Sequence, residues 1–173
     1  MEVLVVNDNL LLNQELLRPV DIGQLADLLL EKGLFLATAE SCTGGLISAA
    51  CTELAGSSAW FDRGFVTYSN DAKTELLGVD SALIKKYGAV SEEVVRAMVV
   101  GAIARSKARV ALAVTGVAGP TGGSSDKPVG TVWFGWQVDG KVSAQCLLFA
   151  GDRAAVRAAT VGHAVRQLVN LLS

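Results

Sequence analysis

Serine and lysine are the residues of this chain whose surroundings best suit chemistry. The segment Thr38-Ala39-Glu40-Ser41-Cys42-Thr43-Gly44-Gly45 follows an apolar, strand-like run, Leu34-Phe35-Leu36-Ala37, and precedes Leu46-Ile47-Ser48-Ala49-Ala50-Cys51, which reads as helix. Ser41 therefore sits beside a helix N-terminus. Backbone N–H groups there lack intrahelical partners, and the positive end of the helix dipole lies behind them. Such a place binds anions and can steady a developing oxyanion. Gly44 and Gly45 let a ligand come close to the backbone. The plain alternative is that Ser41 or Thr43 simply caps the helix.

A serine nucleophile needs a base. The chain has one histidine, His163, placed inside the last helix, where it reads as a core or helix-face residue. Lysine is the usual substitute in such enzymes. Lys73, in Tyr68-Ser69-Asn70-Asp71-Ala72-Lys73, starts a helical turn directly after a strand. Two βα units can bring it to Ser41 in the crevice beyond the strand C-termini. Lys73 acts only if burial or a positive helix end lowers its pKa; otherwise it is an ordinary solvated lysine. Tyr68 closes the strand, and its hydroxyl could relay a proton or orient a substrate.

Two further segments fall at the same ends of the elements. Thr115-Gly116-Val117-Ala118-Gly119-Pro120-Thr121-Gly122-Gly123 follows an apolar strand, so its glycines are either shaped around a ligand or form a plain mobile loop. Arg153, in Gly151-Asp152-Arg153, stands in the first turn of a helix, where a cation is unfavourable unless it grips an anion or pairs with Asp152. Neither G-x-x-x-x-G-K-[ST] nor G-x-G-x-x-G occurs. The literal S-x-x-K at Ser124 to Lys127 lies between Gly122-Gly123 and Pro128, and reads as loop. No His/Cys cluster with metal-ligand spacing is visible, so no metal and no cofactor is expected.

The elements that position these residues follow from periodicity. Ile22, Leu25, Leu28 and Leu29 recur at helical spacing, with Gly33 at the C-cap. A strand over 34–39, a strand over 64–68 entered from Trp60-Phe61, and short helices over 72–77 and 81–87 come next. The helix from Ser91 to about Ser106 has Glu92 and Glu93 near its start and Arg105 and Lys107 near its end. Val110 to Val114 is a continuous apolar run, as a buried central strand would be. Thr131 to Val138 and Val142 to Phe149 form a hairpin turning at Asp139-Gly140, and Asp152 caps a last helix to about Leu172. The expectation is an α/β fold, a three-layer α/β/α sandwich with a mixed, mainly parallel sheet of about five strands.

Composition narrows the setting. At 173 residues, one domain over 21–173 is expected, with an N-terminal extension of unknown role over 1–20. Hydrophobic residues make up 51% and charged residues 18%, against roughly 25% charged in an average soluble domain. So little charge covers a monomer poorly and favours a homodimer or higher homo-oligomer. The net charge of −2, with no basic run, argues against nucleic acid. Neither a signal peptide nor an apolar run of membrane-spanning length is present, and three cysteines suggest reduced thiols and a cytoplasmic setting.

Glu40 to Gly45, Gly64 to Lys73, Val114 to Pro120 and Gly151 to Arg153 occur in that order. Together they closely resemble the nicotinamide-nucleotide amidase family, also known as the C-terminal domain of CinA. The resemblance runs from about Asp21 to Leu172, without the larger N-terminal domain of full CinA proteins, so a stand-alone form is expected. It implies a mixed-sheet α/β/α fold and hydrolysis of the carboxamide of nicotinamide mononucleotide to nicotinate mononucleotide and ammonia, in pyridine nucleotide recycling. It makes Ser41 the nucleophile, with Lys73 and Tyr68 as catalytic partners. On that reading Thr43, Gly44 and Gly45 line the oxyanion, and Arg153 with Thr115 and Gly116 takes the phosphate and ribose of the small-molecule nucleotide substrate. Two alternatives stand beside it: a catalytically silent nucleotide-binding or interaction module of the same fold, and a Ser-Lys amidase for another small substrate.

Overall fold

The computed structural model describes residues 4–5 and 22–173. In chain order the elements are β1 (Leu4–Val5), α1 (Ile22–Glu31), β2 (Leu36–Glu40), α2 (Leu46–Glu53), β3 (Phe61–Val66), α3 (Asn70–Leu77), α4 (Ser81–Tyr87), α5 (Glu92–Ala104), β4 (Val110–Gly116), β5 (Thr131–Val138), β6 (Lys141–Leu148) and α6 (Arg153–Leu172). Strand β1 falls inside the segment 1–20; the rest of that segment and Asp21 lie outside the described residues.

The strands form one sheet in the order β1-β6-β5-β4-β2-β3. Pairings β1/β6, β2/β3 and β2/β4 are parallel, whereas β4/β5 and β5/β6 are antiparallel. The expected mixed sheet is thus present, with the two-residue β1 as an additional edge. The hairpin of β5 and β6 turns at Asp139 and Gly140, which take the positive φ values of 50° and 75° such a tight turn requires.

Strict alternation along β4 explains the three layers. Val110, Leu112 and Val114 pack with α1, α2 and α6 in one core, while Ala111 and Ala113 face α3, α4 and α5 in the other. The second face carries a row of small residues. Ala39, Ala113, Gly135 and Ala144 stand side by side across β2, β4, β5 and β6. A Cβ on Gly135 would come within 3.0 Å of Val99 and 3.1 Å of the Val95 carbonyl of α5, so the helix lies almost on the sheet backbone.

Strand β3 begins earlier and ends earlier than the sequence pattern suggests. Its ladder with β2 runs from Leu36↔Phe61 to Glu40↔Val66, and Thr67 N–H then adds one bond to the Glu40 carbonyl at 2.8 Å. Tyr68 is therefore beyond the strand, on the chain leading into α3. Gly64 in β3 is required by close approach, because a Cβ there would collide with the Ser48 hydroxyl of α2.

Candidate active site

Ser41 leaves the C-terminal end of β2, held by its N–H on the Val114 carbonyl of β4 at 3.1 Å. Lys73 comes from α3, whose start is fixed by Ser69 accepting from Ala72 N–H at 3.0 Å. The two meet beyond the strand ends. Lys73 Nζ lies 3.0 Å from Ser41 Oγ and donates to the Thr67 carbonyl at 2.9 Å. Lys73 is 1% exposed and Ser41 8%. Burial lowers the lysine from its ordinary 10.5 to about 8, so a useful fraction is neutral near physiological pH. A neutral amine in that position keeps one N–H on Thr67 and turns its lone pair to the serine hydroxyl.

The other expected donors are arranged differently. The anion at the N-terminus of α2 is the protein's own Glu40. This buried carboxylate accepts from Thr43 Oγ1 at 2.7 Å, Gly45 N at 3.1 Å, Ile47 N at 3.0 Å, and Ser48 N and Oγ at 2.8 and 2.7 Å. Gly44 N–H bonds the Ser41 carbonyl at 3.1 Å. The N–H groups of Gly44 and Gly45 are thus committed inside the turn, and the helix end is not a vacant anion site. Neither Ser41 nor Thr43 is the cap, since Gly45 stands at that position without a side-chain bond and Glu40 supplies the acceptor. The N–H groups of Cys42 and Thr43 follow the serine directly in the turn and are not among the donors that Glu40 collects. Burial, with the nearby Glu40 charge, pushes the Cys42 thiol up to about 11, so it is no rival nucleophile.

A cavity of about 230 Å³ opens over the pair, lined among others by Tyr68, Asn70, Thr115, Gly116, Ala118 and Arg153. Thr115 Oγ1 is spent on the Ala89 carbonyl at 2.9 Å, so Thr115 and Gly116 shape the wall. Arg153 donates from Nη1 to the Gly119 carbonyl and from Nη2 to the Tyr68 hydroxyl, each at 3.0 Å. Asp152 instead caps α6, accepting from Ala155 N–H at 2.9 Å, and among the described residues Arg153 makes no ion pair. Beyond Arg153 lies a wider cleft of about 640 Å³ that also touches Arg157, whose Nη2 donates to the Thr43 carbonyl at 2.9 Å.

Glu40, Asn70 and Arg157 are the site residues that sequence reasoning passed over. Glu40 directly precedes the serine and the helix, which was the available signal. His163 sits in the core against Phe134 and Trp136, bonded to Gln145 at 2.9 Å, and burial with Arg166 lowers it to about 4. Among the described residues there is no group of His, Cys, Asp or Glu able to hold a metal ion, and no helix long and apolar enough to cross a membrane.

Fold and site together define a three-layer α/β/α protein with a buried serine–lysine pair at the ends of parallel strands. The chain belongs to the CinA C-terminal domain family, whose family model matches residues 22–172. It is 60% identical over 127 residues to nicotinamide-nucleotide amidohydrolase PncC of Enterobacter agglomerans, covering 73% of this chain and 77% of that protein. With the protein of the same name from Escherichia coli (strain K12) it shares 47% over 148 residues, covering 84% and 88%. The crystal structure of the competence damage-inducible protein A (ComA) from Klebsiella pneumoniae superposes with a TM-score of 0.85 at 40% identity, covering 87% of this chain and 94% of that one.

Proposed function

We propose that this protein is a serine–lysine amidohydrolase that converts nicotinamide mononucleotide and water to nicotinate mononucleotide and ammonia. The observation that carries the mechanism is the buried contact of 3.0 Å between Lys73 Nζ and Ser41 Oγ; the substrate class comes from the relatives' names. Neutral Lys73 takes the Ser41 proton while Oγ attacks the carboxamide carbon. The oxyanion forms beside the N–H groups of Cys42 and Thr43, in place of the committed Gly44 and Gly45. Lys73 then gives its proton to the leaving nitrogen, and ammonia departs. Water attacks the acyl-enzyme as Lys73 takes one of its protons, and the proton returns to Ser41 Oγ as the carboxylate product is released.

On this reading the nicotinamide end would occupy the cavity over Ser41, which Asn70, Thr115 and Gly116 line, with the 5′-phosphate directed to Arg153, another of its lining residues. The reaction calls on no cofactor. As in the sequence reading, we place the enzyme in the cytoplasm as a homo-oligomer. Purified protein incubated with nicotinamide mononucleotide should release ammonia, and Ser41→Ala should lower turnover at least a hundredfold while keeping its fold. Equal ammonia release by Ser41→Ala and the parent would overturn the assignment.

A further inference from the structure

We infer that Tyr68 is a positioning residue that works through Arg153, and that the pair holds a guanidinium ready for the anionic tail of the substrate. The inference rests on the reaction proposed above and assigns the hydroxyl a task other than proton transfer. Three observations carry it. First, the proton path needs no intermediary, since Lys73 already contacts Ser41 directly and is sealed from solvent. Second, Tyr68 lines the catalytic cavity yet the residue is 59% exposed, and its hydroxyl accepts from Arg153 Nη2 at 3.0 Å. A tyrosine at an exposed rim, whose hydroxyl is bonded to Arg153 and not to Lys73 or Ser41, is placed as an anchor and not as a link in the proton path. Third, Arg153 Nη1 is tied on its other side to the Gly119 carbonyl, also at 3.0 Å.

A guanidinium is planar, with five N–H donors in a fixed fork. Two anchors, one on the chain after β3 and one on the loop after β4, fix the plane and the rotation of that fork. Arg153 is thereby stretched along the boundary between the catalytic cavity and the wider cleft, both of which it lines. Its remaining N–H groups are available to a phosphate at that boundary, in a geometry set before the ligand arrives. Pre-fixing a long, rotamer-rich side chain removes part of the ordering cost that binding would otherwise carry. Tyr68 therefore governs how well the enzyme uses its phosphate-bearing substrate, while the carboxamide end is handled by Ser41 and Lys73.

The test compares Tyr68→Phe, Arg153→Ala and the double variant by two readouts. In steady-state kinetics with nicotinamide mononucleotide, Tyr68→Phe should raise KM about five- to tenfold, the loss of one solvent-exposed hydrogen bond of ordinary strength, with kcat within twofold and an unshifted pH profile. In calorimetry, nicotinate mononucleotide should bind Tyr68→Phe more weakly by the same factor, whereas the phosphate-free nicotinate riboside should bind both proteins equally. The double variant should match Arg153→Ala alone, because Tyr68 acts only through Arg153. A kcat reduced tenfold or more with an altered pH profile would overturn the inference in favour of a proton relay. Equal weakening of nucleotide and riboside, or additive effects in the double variant, would overturn it as well. Absence of ammonia from the parent protein would instead count against the reaction, and the calorimetric arm would still decide the Tyr68–Arg153 pairing.

Discussion

Lys73 is the residue whose environment departs furthest from what a lysine ordinarily meets. Its ammonium is held at about 8 by burial, so protonation disables the base below that pH and frees it above. kcat/KM for nicotinamide mononucleotide should accordingly climb about tenfold per pH unit on the acid side and level off above about 8. Lys73→Arg should be inactive across the same range, since a guanidinium stays protonated. A flat profile between pH 6 and 9, or an active arginine variant, would remove Lys73 from the role of base. Of the residues named from the chain alone, Ser41 and Lys73 were legible as a pair, because each follows the C-terminal end of a strand in a βα unit and such strand ends converge. The partner of Tyr68 was not. Arg153 lies 85 positions away, and no local pattern announces which loop a first-turn arginine will reach.

At the scale of elements, the turn between β2 and α2 is organised by one buried carboxylate. Glu40 gathers five donors, and among the described residues no cation pairs with it. Glu40→Ala would strand the N–H groups of Gly45, Ile47 and Ser48 together with the Thr43 hydroxyl, while the Ser48 hydroxyl keeps Thr38 as a partner. The cost should be about 3 kcal/mol or more, read as a lower urea midpoint with an unchanged slope. A midpoint within experimental error of the parent would show that water replaces the carboxylate. Sequence reasoning placed this helix and its start but sought the cap among Ser41 and Thr43, the side chains that most often serve. The acceptor comes instead from the last residue of the preceding strand, a tertiary arrangement that capping statistics do not encode. Strand β3 differs from its expected limits for a similar reason, its ends being set by pairing with β2 rather than by its own residues.

For the whole molecule, the sparse charge has a visible counterpart on the surface. Leu46 is 38% exposed and Val66, two residues before Tyr68, 46%, and among the described residues β3 is the terminal strand of the sheet. Exposed apolar side chains beside a free strand edge favour association over a solitary chain. Light scattering at micromolar concentration should return a multiple of 18.0 kDa, most simply a two-fold dimer. A monomer mass at that concentration would refute it. The three-layer arrangement was readable from the continuous apolar run over Val110 to Val114, the mark of a strand buried on both faces, and from the helical periods around it; which residue faces which core was not.

The row Ala39, Ala113, Gly135 and Ala144 beneath α5 also bears on how this protein can change over generations. On the opposite face, Leu112, Phe134 and Trp136 have neighbours of comparable bulk, so one side chain can shrink while another grows. Along this row under α5 the sheet contributes almost no side chain that could be traded, Trp133 and Cys146 standing to one side of it. An added methyl group must displace a helix, and that helix also packs against α3, which carries Lys73. Variation that retunes the pocket is therefore more readily absorbed by the loops and by α6, and the α5 layer is left as the part of the scaffold with the fewest accessible neighbours in sequence space.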